Sequence, residues 1–285
     1  MSLTKFLHDP DFGPRLEHLL KFPRIPPFGP HPLVPSSSPN APLIGAAFDY
    51  LLRFDLQRRF PLAVAREWVA ETGLRKLSAR QQKKPTQFLA AQKTLDTATR
   101  AIHQARLAHA DYLKHGDLSN DLLQAVLRLA QIDSLARSGI VPKWFGVVEL
   151  HDMRELRHLM DAIPWSDLTP QWRCILNPTF GRASALVGGA DADILFDDSL
   201  IEIKTTKNGA FSREYIKQLA GYYILQLIGG VDGTPAGDTI QYLGVYSARY
   251  GRIIRVPVRE VVPSSSIQEL TNLFQEFSMR RKFQN

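Results

Sequence analysis

Acidic residues and one lysine are concentrated in residues 188–207, GGADADILFDDSLIEIKTTK. Asp191 and Asp193 alternate along one predicted strand, and Glu202 and Lys204 along the next, so each pair points to a single face. A hairpin that turns symmetrically about the central Asp-Asp pair brings Asp193 opposite Glu202 and Asp191 opposite Lys204. The pattern therefore predicts two or three carboxylates and a lysine on one patch of sheet.

Such a patch suits a divalent cation, because two facing carboxylates repel each other unless a positive charge lies between them. Oxygen ligands of this kind favour Mg²⁺ or Mn²⁺. A bound metal would polarise a phosphoryl oxygen, and Lys204 would orient the attacking water or stabilise charge on the phosphate. The alternative is an acid-rich hairpin in which Lys204 neutralises Asp191 and the other carboxylates are hydrated. The apolar residues around the acids argue against it, because half-buried charges are costly unless paired or metal-bound.

The acidic stretch belongs to a region that reads as strands and helices in alternation. Period-two alternation and turn residues predict strands, and 3.6-residue periodicity with capping residues predicts helices. The predicted strands cover 173–176, 185–196, 200–205, 241–248 and 252–258, and the predicted helices cover 212–228 and 266–281. This order predicts an α/β fold with a mixed sheet flanked by helices.

The first 165 residues have a different composition. Residues 1–43 form a proline-rich lead-in, irregular over 22–43, and a single domain is predicted over 44–285. Apolar residues at helical spacing begin an amphipathic helix at Ile44. Further helices are predicted after Pro61 and over 85–115, 118–138 and 152–162. Residues 60–165 therefore read as a large helical insertion before a catalytic core at about 170–260.

The net charge of +7 is unevenly distributed. Residues 74–115 contain nine lysines and arginines against two aspartates, which accounts for the whole positive excess. A basic helical segment of this kind suits a polyphosphate partner such as DNA. The alternative is a solvated helix face.

Composition excludes several classes of protein. Apolar residues make up 44% of the chain and charged residues 22%, an ordinary globular balance. There is no run of eighteen apolar residues and no apolar signal core near the N-terminus, so we expect a cytoplasmic protein without a membrane partner. The single cysteine, Cys174, excludes an internal disulfide and a four-cysteine iron–sulfur cluster.

Three motifs give the chain a family resemblance. The run from Asp193 through Glu202-Ile203-Lys204 resembles the central hairpin of the PD-(D/E)xK nuclease superfamily. Gln218-Leu-Ala-Gly-Tyr222 matches the Q-x-x-x-Y pattern of its RecB-like branch, on the helix after the hairpin. Gly45-Ala-Ala-Phe-Asp49 is similar to the G-x-x-x-H motif of that branch, with aspartate in place of histidine. The motifs occur in the order that the family has.

The resemblance implies a restriction-endonuclease-like α-β-β-β-α-β core with a large helical insertion. It also implies a nuclease that hydrolyses DNA phosphodiesters with Mg²⁺ or Mn²⁺ and carries no iron–sulfur cluster. The implied catalytic residues are Asp193, Glu202, Lys204, Gln218 and Tyr222. The implied metal ligands are Asp49, Asp191, Asp193, Glu202 and the main chain at Ile203.

Two of these assignments have alternatives. The apolar residues that follow Asp193 favour it as the metal-binding aspartate, as does its register opposite Glu202, whereas the G-x-x-D spacing from Gly188 favours Asp191. Asp49 replaces the usual histidine, and it would instead pair on the helix surface with Arg53, four residues on.

The expected phosphate-binding residues are Lys207, Arg213, Lys217, Lys83 and Lys84. Two other functions remain open. One is a non-catalytic nucleic-acid-binding module, which the intact Asp193, Glu202 and Lys204 argue against. The other is a subunit of a larger DNA repair, recombination or phage-defence complex, with residues 60–165 docking a protein partner.

Overall fold

The computed structural model describes residues 3–82, 88–138, 141, 144–235 and 237–282. Ten α-helices lie within them: α1 Leu3–Leu7, α2 Phe12–Leu19, α3 Ala41–Arg59, α4 Val69–Gln82, α5 Phe88–His115, α6 Asn120–Ser138, α7 Leu150–Asp161, α8 Arg213–Gly229, α9 Val258–Val261 and α10 Ile267–Lys282. Five strands lie within them: β1 Cys174–Leu176, β2 Ile194–Phe196, β3 Ser199–Lys204, β4 Tyr242–Ser247 and β5 Arg252–Pro257. None of the described helices is long and apolar enough to cross a membrane.

The chain divides into two compact units, whereas the sequence predicted one domain after residue 43. The sheet unit comprises Met1–His31, Pro164–Lys204 and Asn208–Asn285. The helical unit comprises Pro32–Ile163 and Thr205–Lys207. Residues 60–165, predicted to be helical, contain α4–α7, and α3 belongs to the same unit as these helices.

The sheet unit is built on an open, mixed five-stranded sheet in the order β1-β2-β3-β4-β5. Neighbouring strands are antiparallel except β3 and β4, which are parallel and joined by α8. Parallel neighbours need a crossover of this length, and a helix supplies it. Ser212 begins α8 by accepting a hydrogen bond from the Tyr215 amide at 3.4 Å, and Gly230, at φ 70°, ends it. The predicted α/β class with a mixed sheet flanked by helices is confirmed.

A tight turn fixes the β2–β3 hairpin. Asp197 adopts a left-handed φ of 51°, which aspartate tolerates better than most residues. Its carboxylate accepts hydrogen bonds from the backbone amides of Gln171, Trp172 and Arg173 at 2.9–3.1 Å. The turn is therefore anchored to the segment that leads into β1.

The hydrophobic core of the sheet unit lies between α8 and one face of the sheet, where Leu200 and Leu243 pack with Leu219. Residues near the N-terminus belong to the same core: Phe6 and Phe12 of α1 and α2 contact the phenylalanines of α10. The sequence pattern did not predict these two short helices. Residues 21–40 lack helix and strand, so the irregular segment predicted over 22–43 is found except for its last three residues, which begin α3.

The helical unit packs α3, α4 and α5 against α6. Buried side chains surround α3, and the hydroxyl of Tyr50 donates to Asp133 on α6 at 3.0 Å. Irregular chain separates α3 from α4, so the helix predicted after Pro61 begins eight residues later, at Val69. Glu155 of α7 holds the lead-in by accepting hydrogen bonds from Ser37 and Ser38.

Candidate active site on the beta2–beta3 hairpin and helix alpha8

The register of the hairpin is the one predicted from a symmetric turn. Ile194 pairs with Ile201, and Phe196 with Ser199. The next pair away from the turn consists of Asp193, one residue before Ile194, and Glu202, one residue after Ile201. These two residues therefore face each other where the ladder ends. The charge of Asp193 acts on Glu202, which agrees with the register expected from the sequence.

Glu202 is a buried carboxylate with a hydrogen-bond partner at only one of its two oxygens among the described residues. Its side chain is 2% exposed, its Oε2 lies 2.8 Å from Lys204 Nζ, and its Oε1 is buried without a hydrogen-bond partner among the described residues. Burial and the charge of Asp193 raise the pKa of Glu202 to about 8, although Lys204 opposes this rise. The site therefore favours an added proton or cation at Glu202.

Lys204 is held by three groups. Besides Glu202, its ammonium donates to Gln218 Oε1 at 3.1 Å and lies 5.3 Å from the centre of the Tyr215 ring. Burial would lower the pKa of Lys204, but the carboxylates of Glu202 and Asp193 outweigh this effect and raise the pKa above its usual value. Lys204 is therefore a fixed cation at neutral pH.

A chain of hydrogen bonds continues along α8. Gln218 Nε2 donates to the Tyr222 hydroxyl at 3.2 Å, and that hydroxyl donates to the Asp191 carbonyl at 2.8 Å. Burial, followed by the charges of Glu202 and Asp193, raises the pKa of Tyr222, so this hydroxyl keeps its proton. Residues from β3, from α8 and from the segment before β2 thus form one connected polar network.

The segment before β2 differs from the prediction. The strand expected over 185–196 is only Ile194–Phe196, and Gly181–Val187 is a 3₁₀ helix. The cause is local: Gly188 and Gly189, at φ 77° and 119°, leave the extended region. The carboxylate of Asp191 is exposed as a result, while Asp193 is half-buried.

Asp193 is fixed by the strand opposite. Its Oδ2 accepts a hydrogen bond from the Ile203 amide at 2.7 Å. Of the two candidate aspartates, Asp193 is therefore the one whose carboxylate is held beside Glu202. Asp191 reaches the network through its backbone carbonyl.

Two carboxylates make up the donor set here, and one of their oxygens, Glu202 Oε1, has no hydrogen-bond partner among the described residues. Among the described residues, no three His, Cys, Asp or Glu side chains are close enough together to hold a metal ion. Mg²⁺ commonly binds through one or two carboxylates and keeps several waters. Asp193 and Glu202, with the partnerless Oε1 of Glu202, fit a cation of that kind.

Asp49 lies in the helical unit, where it forms an ion pair with Arg53 one turn on. This is the alternative that the sequence offered for Asp49. Within the same unit, a Cβ added at Gly45 would lie 2.8 Å from Oγ1 of Thr205, the residue that follows β3. A residue larger than glycine at position 45 would therefore displace the Thr205 side chain.

Lys217, which was expected to contact phosphate, is buried. Its ammonium pairs with Glu17 at 2.9 Å and with Glu214 at 2.6 Å. Two partly exposed carboxylates therefore compete with a phosphate for this buried ammonium, which argues against the expected contact.

The other residues expected to contact phosphate differ in placement. Arg213 is exposed, and its guanidinium lies 4.9 Å from the centre of the Phe22 ring. Lys207 is exposed in the helical unit, and Lys83 and Lys84 lie outside the described residues. In the basic segment, Arg75 and Arg106 pair with Glu67 and Glu71, two acids that precede the segment.

Tyr215 is a site residue that the motifs did not predict. It lies three residues before Gln218 on α8, so the two side chains occupy neighbouring positions on one helix face. Helical spacing from the Q-x-x-x-Y motif was the only signal in the sequence that could have identified it.

Comparison with known proteins places this chain in no family. No family model matches the sequence, and neither a curated protein nor a solved structure is significantly similar to it.

Proposed function

We propose that the protein is a metal-dependent nuclease of the PD-(D/E)xK type that hydrolyses DNA phosphodiesters. The observation that carries the proposal is the network in which Lys204 joins the buried carboxylate of Glu202 to Gln218. Residues of two motifs, Lys204 and Gln218, lie fourteen positions apart in the chain and meet in one hydrogen-bonded group. A coincidental pattern has no reason to bring them together.

The topology of the sheet unit supports the same proposal. Three antiparallel strands, a crossover helix and a fourth strand parallel to the third follow one another in the chain. This order is the one that the β-β-β-α-β part of a restriction-endonuclease-like core would have.

Asp193 and Glu202 would hold Mg²⁺ or Mn²⁺, which would polarise the scissile phosphate and activate a water. Glu202 depends on such a cation, because without it burial favours the protonated acid. Lys204 stays protonated at neutral pH, so its role is to donate a hydrogen bond to the phosphate or the water and not to accept a proton.

The remaining residues position these groups. Gln218 accepts from Lys204 and donates to Tyr222, which fixes the direction of the lysine side chain. Tyr222 in turn ties α8 to the main chain two residues before Asp193. Substituting Gln218 or Tyr222 should therefore lower activity by loosening Lys204.

The experiment is a cleavage assay of the full-length protein on linear and circular DNA with Mn²⁺, Mg²⁺ or EDTA. We expect metal-dependent cleavage that Lys204→Ala reduces by at least about a hundredfold, since it removes a donor to developing charge. Thermal melting would establish that the variant folds, and Lys5→Ala, an exposed lysine on α1, is the matched control. Wild-type cleavage by Lys204→Ala, or cleavage unaffected by EDTA, would refute the proposal.

A further inference from the structure

A second group of polar side chains lies in the helical unit, around a cavity of about 230 Å³ between α5, α6 and the segment before α7. Its lining includes Arg100, Gln104, Arg128, Gln131 and Gly146, and none of the described residues that line it is acidic. The lining therefore carries two positive charges and several hydrogen-bond donors. Such a cavity favours an anion.

The two arginines are directed by neutral partners. Arg128 donates to the side-chain oxygens of Gln104 at 3.3 Å and Gln124 at 3.2 Å, and Arg100 donates to the Thr97 hydroxyl at 3.4 Å. Neither guanidinium forms an ion pair with a described carboxylate. Arg75 and Arg106 differ from them, since each is paired with a glutamate.

Gln131 gives the cavity a fixed wall. Its side chain is 1% exposed, and its amide donates to the Val147 carbonyl at 2.6 Å and accepts from the Gly146 amide at 2.7 Å. Gly146 has a left-handed φ of 86°, which glycine adopts without strain. Gly146 and Val147 are thus held against α6 before any ligand binds. Binding then needs to order less of the chain, which lowers its entropic cost.

From this geometry we infer that the cavity binds a phosphate group, held by Arg100 and Arg128. Guanidinium groups match the oxygens of a phosphate with paired hydrogen bonds. The volume is below the roughly 300–1,000 Å³ of most small-molecule pockets, which suits a single phosphoryl group. The group could belong to a nucleic-acid backbone or to free phosphate. The inference does not depend on the nuclease activity proposed for the sheet unit.

The test compares two charge-matched double variants of the full-length protein. Arg100→Gln with Arg128→Gln removes the proposed ligands, and Arg137→Gln with Arg154→Gln removes two exposed arginines of the same unit that lie outside the cavity. Binding of inorganic phosphate is measured by calorimetry, and binding of a twelve-residue thymidine oligonucleotide by fluorescence anisotropy. EDTA is present throughout, so metal binding and cleavage do not contribute.

We expect the cavity variant to raise the phosphate dissociation constant by roughly tenfold for each arginine and the control to change it less than about twofold. An equal loss for the oligonucleotide would identify a backbone phosphate as the ligand, and loss for phosphate alone would identify free phosphate. Failure of the wild-type protein to bind either probe, or an equal loss in the control variant, would overturn the inference. The phosphate titration in EDTA involves no cleavage, so its outcome is distinct from that of the nuclease assay.

Discussion

Glu202 in the sheet unit and Glu155 in the helical unit are both glutamates with nearly inaccessible side chains, at 2% and 1% exposure. Glu155 Oε2 accepts three hydrogen bonds, from the Ser37 amide and hydroxyl and from the Ser38 amide, at 2.6–2.8 Å. Glu202 has one ammonium partner, Asp193 as a neighbouring carboxylate, and one oxygen that no described residue hydrogen-bonds. A buried carboxylate surrounded by donors stabilises the fold, whereas one left short of donors can bind a cation or a proton.

The comparison predicts that only one of the two substitutions lowers stability. Glu155→Ala should lower the free energy of unfolding by about 3 kcal/mol, because it leaves buried donors without an acceptor. Glu202→Gln, without metal at pH 8, should leave stability unchanged or raise it, because a neutral amide replaces a charge that burial disfavours. Urea unfolding of both variants measures the difference. A large loss in Glu202→Gln would mean that the Lys204 ion pair stabilises the fold, contrary to the comparison.

The pH dependence of stability tests Glu202 more directly. Its pKa in the folded protein is about 8, against an ordinary value of 4.5. The folded state thus keeps a proton that the unfolded chain loses, and the stability this contributes is fully present below pH 4.5 and lost as the pH rises towards 8. In EDTA, the melting temperature should therefore decrease more steeply between pH 4.5 and pH 8 for the wild type than for Glu202→Gln.

The wild type and the Glu202→Gln variant share their other titrating groups. Burial lowers the pKa of His109 to about 4, so its contribution has the opposite sign and increases as the pH rises through about 4 to 6.5. It cancels in the difference between wild type and Glu202→Gln. Parallel melting profiles of the two proteins would show that Glu202 has an ordinary pKa.

Local chemistry explains which parts of this arrangement could be predicted from the sequence. The Asp-Asp turn and the alternation of Ile194 and Ile201 with their neighbours set the hairpin register, and Ser212 and Gly230 set the ends of α8. These signals act over a few residues. A continuous strand over 185–196 was predicted wrongly because apolar alternation was given more weight than the Gly188-Gly189 pair.

Signals of this kind could not predict contacts between residues that are far apart in the sequence. The basic residues near α8 suggested phosphate contacts, but Lys217 pairs with Glu17, which lies 200 positions away in the chain. The packing of α1 and α2 on α10 is equally distant in sequence. The meeting of Lys204 with Gln218 was implied by the family resemblance, and no local pattern in the chain predicts that contact.

Substituting the two aspartates near Glu202 tests which carboxylate binds the cation together with Glu202. Asp193→Asn should weaken Mn²⁺ binding about tenfold more than Asp191→Asn, because the Asp193 carboxylate is fixed beside Glu202 and that of Asp191 is exposed. Calorimetric titration of Mn²⁺ into both variants measures this. The reverse order would assign the metal to Asp191 and leave Asp193 as a structural partner of Ile203.

The smallest expected effect concerns Tyr215, whose ring faces the Lys204 ammonium at 5.3 Å. An ammonium over an aromatic ring gains about 0.5–1 kcal/mol at partly exposed sites. Tyr215→Leu should therefore lower the turnover number about three- to fivefold with little change in KM, and Tyr215→Phe, which keeps the ring, should remain within about twofold of wild type.

The alkaline limb of the pH–rate profile should move to lower pH in Tyr215→Leu alone, because the ring favours charged Lys204. Tyr242→Leu, an exposed tyrosine at the start of β4, is the control. Equal losses in the Leu and Phe variants would assign the effect to the hydroxyl, and the ring would then have no positioning role.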